Sequence, residues 1–413
     1  MWRKDKNMKS LTRLELKEFV SEGGIILDTR LNDEYIGWDI YDSGISGHIQ
    51  RAISFPYNWL DITSDFKLLK YLNENKINEE SSIILCDTNR TDYKQVLNYL
   101  VKQKFDKLYY FNLIEWESEL EFYPDYKKLV PCIWLNNLIN NKKVSHAPKR
   151  DYKIFEVSWG KASEDFIDAH IPKSIHIDSE EFEKTPEWVR IEDSELINFV
   201  NKYGITKDTT VIIYGMDSLN QMGAAKLFLI LEYIGVKDVR LLNGTFQNWE
   251  YFGFEVEDGE SILINYETDF GSLDKDFKTR IYDIEDVKKV LKEKKDDTQI
   301  VDIRTYDQWS GKDSGYYYVK KAGRIPGTMW CYNENYYRNF DYTIASKEYI
   351  LKFWASHNLD ITKNIAVFCG SASWAAALVQ VYARVIGVEN LFIYEGGWAQ
   401  WQLDPANEII QGD

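Results

Sequence analysis

Residues 365–387 read IAVFCGSASWAAALVQVYARVIG. Ile365 to Phe368 are apolar without alternation, as in a strand covered on both faces. Cys369 follows at once, then a short loop of Gly370, Ser371, Ala372 and Ser373. From Trp374 the apolar pattern takes helical spacing and continues through Ala377 to Ile386. Strand, loop and helix in that order predict a parallel βα unit. Its loop would lie at the C-terminal end of the strand, where open α/β sheets bind ligands.

The same pattern occurs twice more, as SIILCDTNRTDYKQVLNYL (82–100) and TVIIYGMDSLNQMGAAKLFLILEYIG (210–235). Each copy is preceded by an amphipathic helix and a short strand ending in an acid: GGIILDTR (23–30), YKIFEVSW (152–159) and TQIVDIR (298–304). In register, Asp28, Glu156 and Asp302 coincide, as do Arg30, Ser158 and Arg304. Next come SGHIQRAISFP (46–56), AHIPKSIHID (169–178) and GRIPGTMWC (323–331), and each copy closes on a strand and an aromatic turn: KLYYFNLIEW (107–116), DVRLLNGTFQNW (238–249) and NLFIYEGGWAQW (390–401). The same 41 residues separate His170 from Val211 and Arg324 from Ile365. A repeat of about 130–150 residues is too long for a solenoid unit and marks a whole domain. The expected fold is α/β: three tandem domains over 1–128, 129–262 and 263–413, each a central parallel sheet flanked by helices. Linkers are expected near 125–130 and 257–275, where periodicity breaks.

These landmarks resemble the rhodanese superfamily, and more closely its multi-domain bacterial thiosulfate sulfurtransferases. The resemblance rests on the D-x-R strand end, the H-I-P or R-I-P-G turn, the cysteine loop and the G-G-W-x-x-W close at Gly396 to Trp401. It covers nearly the whole chain. It implies covalent chemistry: a thiolate attacks the outer sulfur of thiosulfate or another sulfane donor, and the resulting persulfide passes its sulfur to an acceptor. The implied partners are a small sulfur-containing anion or persulfide donor and a thiol or cyanide-like acceptor.

Cys369 matches the position of the active cysteine. At a helix N-terminus, converging backbone N–H groups should stabilise its thiolate and lower its pKa below the free value. Gly370, Ser371, Ala372, Ser373 and Trp374 are the expected substrate-binding loop. Relatives usually carry an arginine there, and this loop has none. A missing charge-assisted donor weakens anion binding by about 1.5–3 kcal/mol. Arg304, Arg324 or a group from a neighbouring domain are the candidates to replace it. The tyrosine-rich stretch between Tyr316 and Tyr342 is a candidate pocket rim.

The second copy has Gly215 where the thiol would stand, so its expected role is to pack against the third and wall the pocket. The first copy is ambiguous. Counted forward from Ile77 against Ile205, Cys86 aligns with Tyr214, one position before the loop. Counted backward, 22 residues separate Cys86 from Leu108 and Cys369 from Leu391, which would make the two cysteines equivalent. Cys132, on a helix that opens the middle domain, and Cys331 are expected to be structural.

Other classes are disfavoured. Cysteine phosphatases need an arginine six positions after the thiol; Ala375 and Asp92 stand there instead. Sixty-six acidic against 50 basic residues, a net charge of −16, disfavour nucleic-acid or anionic-membrane binding. The short basic runs at Lys142-Lys143 and Lys292–Lys295 are expected to be solvated faces. Four cysteines without C-x-x-C spacing and five histidines without ligand spacing give neither a disulfide scaffold nor a zinc site, and no metal or cofactor is expected. No signal peptide or membrane-length apolar run is visible, so cytoplasmic residence is the default expectation. The serious alternative to an enzyme is a rhodanese-fold sulfur carrier or binding module that does not turn over.

Overall fold

The computed structural model describes residues 8–88, 90–160, 164–261, 269–273, 280–293 and 297–412. The expected boundary near 262, and Lys294 and Lys295 of the basic run, lie outside the described residues.

The strands form three five-stranded sheets. The first contains β1 (Lys9–Ser10), β2 (Ile25–Asp28), β3 (Ile53–Ser54), β4 (Ile83–Asp87) and β5 (Leu108–Asn112). The second contains β6 (Leu129–Val130), β7 (Tyr152–Ser158) and β8 (Ser174–Asp178), then, after the hairpin β9 (Glu183–Lys184) and β10 (Val189–Arg190), β11 (Thr210–Tyr214) and β12 (Asp238–Leu242). The third contains β13 (Ile281–Tyr282), β14 (Thr298–Asp302), β15 (Met329–Trp330), β16 (Asn364–Phe368) and β17 (Leu391–Tyr394). Their orders are β1-β5-β4-β2-β3, β6-β12-β11-β7-β8 and β13-β17-β16-β14-β15, the same arrangement three times. All pairings within these sheets are parallel. The two-residue edge strands β1, β6 and β13 are too short to carry a period and were not foreseen.

The acids that coincide in the sequence also coincide in space. Asp28 pairs with Cys86, Glu156 with Tyr214 and Asp302 with Phe368. Cys86 is therefore the counterpart of Phe368 inside the strand, as the forward count has it. Asp87 is the counterpart of Cys369. The backward count errs because the segment from the loop to the next strand is one residue shorter in the first copy.

The chain falls into two compact units: residues up to Tyr126 together with Asn339–Ser346, and Lys127–Arg338 together with Lys347 to the end. In the first unit Phe340 lies edge-on to Trp59 at 5.0 Å, and Asn58 donates to Asp341 at 3.0 Å. In the second, the helices Ser218–Tyr233 and Trp374–Val385 pack on one another. Both are apolar nearly all round and correspondingly buried. Among the described residues no helix is long and apolar enough to cross a membrane.

Candidate active site

Cys369 emerges from the C-terminal end of β16, with 7% of its surface exposed. The backbone N–H groups of Ser371, Ala375 and Ala376 are directed at its sulfur, and the thiol lies 3.6 Å from the Ser371 carbonyl it donates to. These three amides are drawn from two sides of the loop, and one of them, Ala376, lies past the 370–375 stretch expected to supply them. The expected fall in pKa is absent. Burial pushes the Cys369 thiol up, and the three amides only partly oppose it.

The loop geometry is held from outside. Ala372 (φ 55°) and Ser373 (φ 51°) are both left-handed, a cost that surrounding structure must sustain in residues other than glycine. The Ser373 hydroxyl donates to the Tyr394 carbonyl at 2.6 Å. Trp398 N–H donates to the Cys369 carbonyl at 3.0 Å and Ala399 N–H to that of Gly370 at 2.8 Å. Gly397 (φ +55°) is required here, because a Cβ would stand 2.5 Å from the Cys369 carbonyl oxygen.

Two further anchors come from the second sheet's segment of the same unit. Lys226, fully buried, donates to the Ala372 carbonyl at 3.0 Å and pairs with Glu395 at 3.0 Å. Trp374 Nε1 donates to Glu183 Oε2 at 3.0 Å, and its ring lies against Gly223. Burial, opposed chiefly by Lys226, pushes the Glu183 carboxyl up to about 8. The guanidinium and backbone N–H of Arg190 both donate to Glu395. The second segment thus walls the loop.

Lys226 and Glu183 escaped sequence reasoning. The one available signal was a lysine inside the apolar run GAAKLFLIL.

Tyrosines cover the thiol. Tyr316 passes so close to Gly370 that a Cβ there would be 2.4 Å from its ring, and Tyr318 stacks on Tyr316 at 5.3 Å. The Tyr318 hydroxyl is hydrogen-bonded to Ser371. Burial raises the pKa of Tyr316 and Tyr336, and the nearby Cys369 raises both further. Tyr316 and Tyr336 therefore belong to this rim. Tyr342 instead belongs to the segment Asn339–Ser346, in the other unit.

Several expected substrate-binding residues are otherwise occupied. Arg304 is buried against Asp302 (2.6 Å), donates to the Gly323 carbonyl (2.8 Å) and faces Trp398 at 4.7 Å; it braces the strand end. Arg324 does not reach the loop. It stacks on Trp309 at 4.1 Å and its backbone bridges to Ile410. His48 and His170 occupy the same place, stacked on Tyr35 and Phe166 and bridged to Glu121 and Glu257. The landmark turn is a brace in all three segments. Ala372, Ser373 and Trp374 use their polar atoms as anchors, leaving Gly370 and Ser371 on the tyrosine side.

The remaining cysteines are buried thiols. Burial holds the Cys86 pKa well above its ordinary value. Burial likewise pushes Cys331 up to about 11, and its sulfur faces the Tyr337 hydroxyl at 3.8 Å. Cys132 opens the Cys132–Ile139 helix from inside the core. Among the described residues no group of three His, Cys, Asp or Glu could hold a metal ion.

Parallel sheets of one order, with a cysteine loop at a strand's C-terminal end, define an α/β protein of the rhodanese class. A profile of the rhodanese-like domain matches residues 134–251 and 283–404, and the chain belongs to the rhodanese family. It is 31% identical to the thiosulfate sulfurtransferase YnjE of Escherichia coli, over 97% of this chain and 92% of that protein. The crystal structure of YnjE superposes with a TM-score of 0.88 over 98% of this chain and 97% of that one. A complex of EanB with ergothioneine superposes at 0.91, with 27% identity over 98% and 100% of the two chains. The same TM-score, identity and coverage hold for the anaerobic ergothioneine biosynthesis enzyme of Chlorobium limicola, solved with its natural substrate trimethyl histidine. These relatives are thus a thiosulfate sulfurtransferase and an enzyme of ergothioneine biosynthesis.

Proposed function

We propose that this protein is a sulfurtransferase that carries sulfane sulfur as a persulfide on Cys369. The carrying observation is the sulfur of Cys369 set against the amides of Ser371, Ala375 and Ala376 at the end of β16. The thiolate attacks the outer sulfur of thiosulfate or a persulfide donor. The donor's S–S bond breaks, and sulfite or a thiolate leaves with the electron pair. An acceptor nucleophile then attacks the terminal sulfur of the Cys369 persulfide, and the thiolate is regenerated. The same amides that partly offset burial of the empty thiol are placed to stabilise the persulfide anion.

On this reading the three sheets are three rhodanese-like domains over 1–128, 129–262 and 263–413, with chemistry in the third. Four buried cysteine thiols suit a reducing compartment such as the cytoplasm. Incubation with thiosulfate should add the mass of one sulfur atom to the Cys369 peptide, and cyanide should remove it as thiocyanate. A protein that gains sulfur but never releases it is the sulfur-carrier alternative. One that gains none refutes the proposal.

One observation favours a particular acceptor. The loop has no cation, and aromatic rings converge on its mouth: Tyr316, Tyr318 and Tyr336, with Trp188 5.9 Å from Tyr318. Aromatic faces suit a cationic or aromatic acceptor better than an anion. Trimethyl histidine with a polysulfide donor is therefore the second substrate pair to assay, beside thiosulfate and cyanide.

A further inference from the structure

The helix Ser218–Tyr233 belongs to a segment without a loop thiol, yet it carries a lysine that sequence patterning would place in the core. Lys226 has no exposed surface, and neither does the loop residue Ser373 beside the carbonyl it binds. Its ammonium meets the Ala372 carbonyl and Glu395 at 3.0 Å each, with Glu183 at 3.7 Å. Every charged group around it is accounted for: Glu183 on β9, Glu395 just after β17, and Arg190 on β10, which takes the other side of Glu395.

A buried ion cluster of this kind contributes little net stability compared with apolar packing of the same volume. Its selective value must lie elsewhere, and its contacts show where. Ala372 and Ser373 are held left-handed between the cysteine and the helix. That kink brings the Ser371 amide from one side, and the Ala375 and Ala376 amides from the other, onto one sulfur. Lys226 grips the carbonyl at the kink, and Glu183 grips the indole of Trp374, two residues on and the first of the helix.

We propose that Lys226, seconded by Glu183, is the positioning residue of the Cys369 loop. The segment with no thiol on its loop supplies from outside the clamp that the arginine-free loop cannot make for itself. This inference rests on Cys369 being the sulfur-bearing residue, but not on which donor loads it.

The test uses the full chain with Lys226→Met and, because that change leaves the buried Glu183 carboxyl without its cation, the pair Lys226→Met/Glu183→Gln. In the pair, glutamine still accepts from Trp374 and Arg190 still neutralises Glu395, so a folded protein is expected even if the single variant fails. The readouts are the pH midpoint of Cys369 alkylation, followed on its own peptide, and kcat and KM for cyanide-dependent sulfur release. Loss of the clamp should raise the midpoint by about one unit, a tenfold fall in thiolate at fixed pH, and lower kcat about tenfold with KM within about twofold. A paired variant that is merely less heat-stable, with midpoint and kcat unchanged, overturns the proposal. So does a shift confined to the single variant, which would trace to the stranded carboxylate. If the wild-type protein never takes up sulfur, the persulfide reading fails, yet the alkylation comparison still decides the role of Lys226.

Discussion

The loops after β11 and β16 leave corresponding places in their sheets and meet corresponding helix N-termini, but they use those N-termini in opposite ways. After β11, the Asp217 carboxylate accepts from Leu219 N–H at 2.9 Å and Asn220 N–H at 2.8 Å, so the helix is capped from within. Gly215 is packed so tightly that a Cβ would stand 2.1 Å from the backbone of Asn220. After β16, the N-cap residue Ser373 makes no side-chain cap, and the free amides face Cys369 instead. In the first sheet Asp87 stands in the cysteine's place and accepts from Tyr93 N–H at 3.4 Å. An anion-binding helix end is common to all three segments. Two fill it with their own carboxylate, and one leaves it for sulfur.

The largest effect that could break this comparison lies in the thiols. Cys369→Ser should abolish persulfide formation and lower sulfur release by about 10³-fold or more, while Cys86→Ser should leave both within about twofold. Equal losses in the two variants, measured by turnover and peptide mass, would mean that the first loop is also reactive.

Gly397→Ala comes next. Its Cβ would meet the Cys369 carbonyl and its positive φ would be strained, at a cost of about 1–3 kcal/mol. Thermal unfolding should show that loss, and Cys369 alkylation should change with it. An unaltered alkylation profile would mean that the loop does not depend on this close approach.

Asp217→Ala sharpens the contrast from the other side. Loss of its cap should cost about 0.5–2 kcal/mol in denaturant unfolding without creating sulfur-transfer activity in a Cys369→Ser background. Activity regained there would show that the second loop retains a latent site.

The smallest expected effect concerns the strand-end pairs. The third sheet joins Asp302 to Arg304, whereas the second joins Glu156 to His176 at 2.6 Å. Burial disfavours the His176 charge, but the hydrogen bond and charge of Glu156 outweigh it and raise the pKa above the ordinary 6.5. Burial also raises the Glu156 carboxyl. In both groups the folded state holds its proton more tightly than the unfolded chain. The stability they contribute is therefore present at low pH; the His176 part is complete below 6.5 and is lost as pH climbs through its raised folded value. Unfolding free energy measured upward from pH 6.5 should decline in the wild type and less so in His176→Gln. Identical slopes would remove the pair from the pH response.

Much of the fold was legible because parallel strands buried on both faces must be continuous apolar runs, and a thrice-repeated order of such runs leaves little freedom in topology. Cys369 was legible for the same reason: its place after Phe368 is a count along the chain. The structural contacts of the two arginines were not legible, because a charge in a motif looks free in sequence. Arg304 is held by Asp302 two residues away, and the Arg324 guanidinium by Trp309 and the carbonyl of Gly412, 88 positions further on.

The sequence by itself determined the repeated succession of strands and helices and the place of Cys369 directly after a strand, since these follow from local periodicity and covalent order. Only the tertiary structure decided which groups act on that sulfur. Lys226, Glu183 and Tyr316 come from distant segments, and desolvation, which sets the direction of the thiol's pKa, exists only once those segments have closed around it.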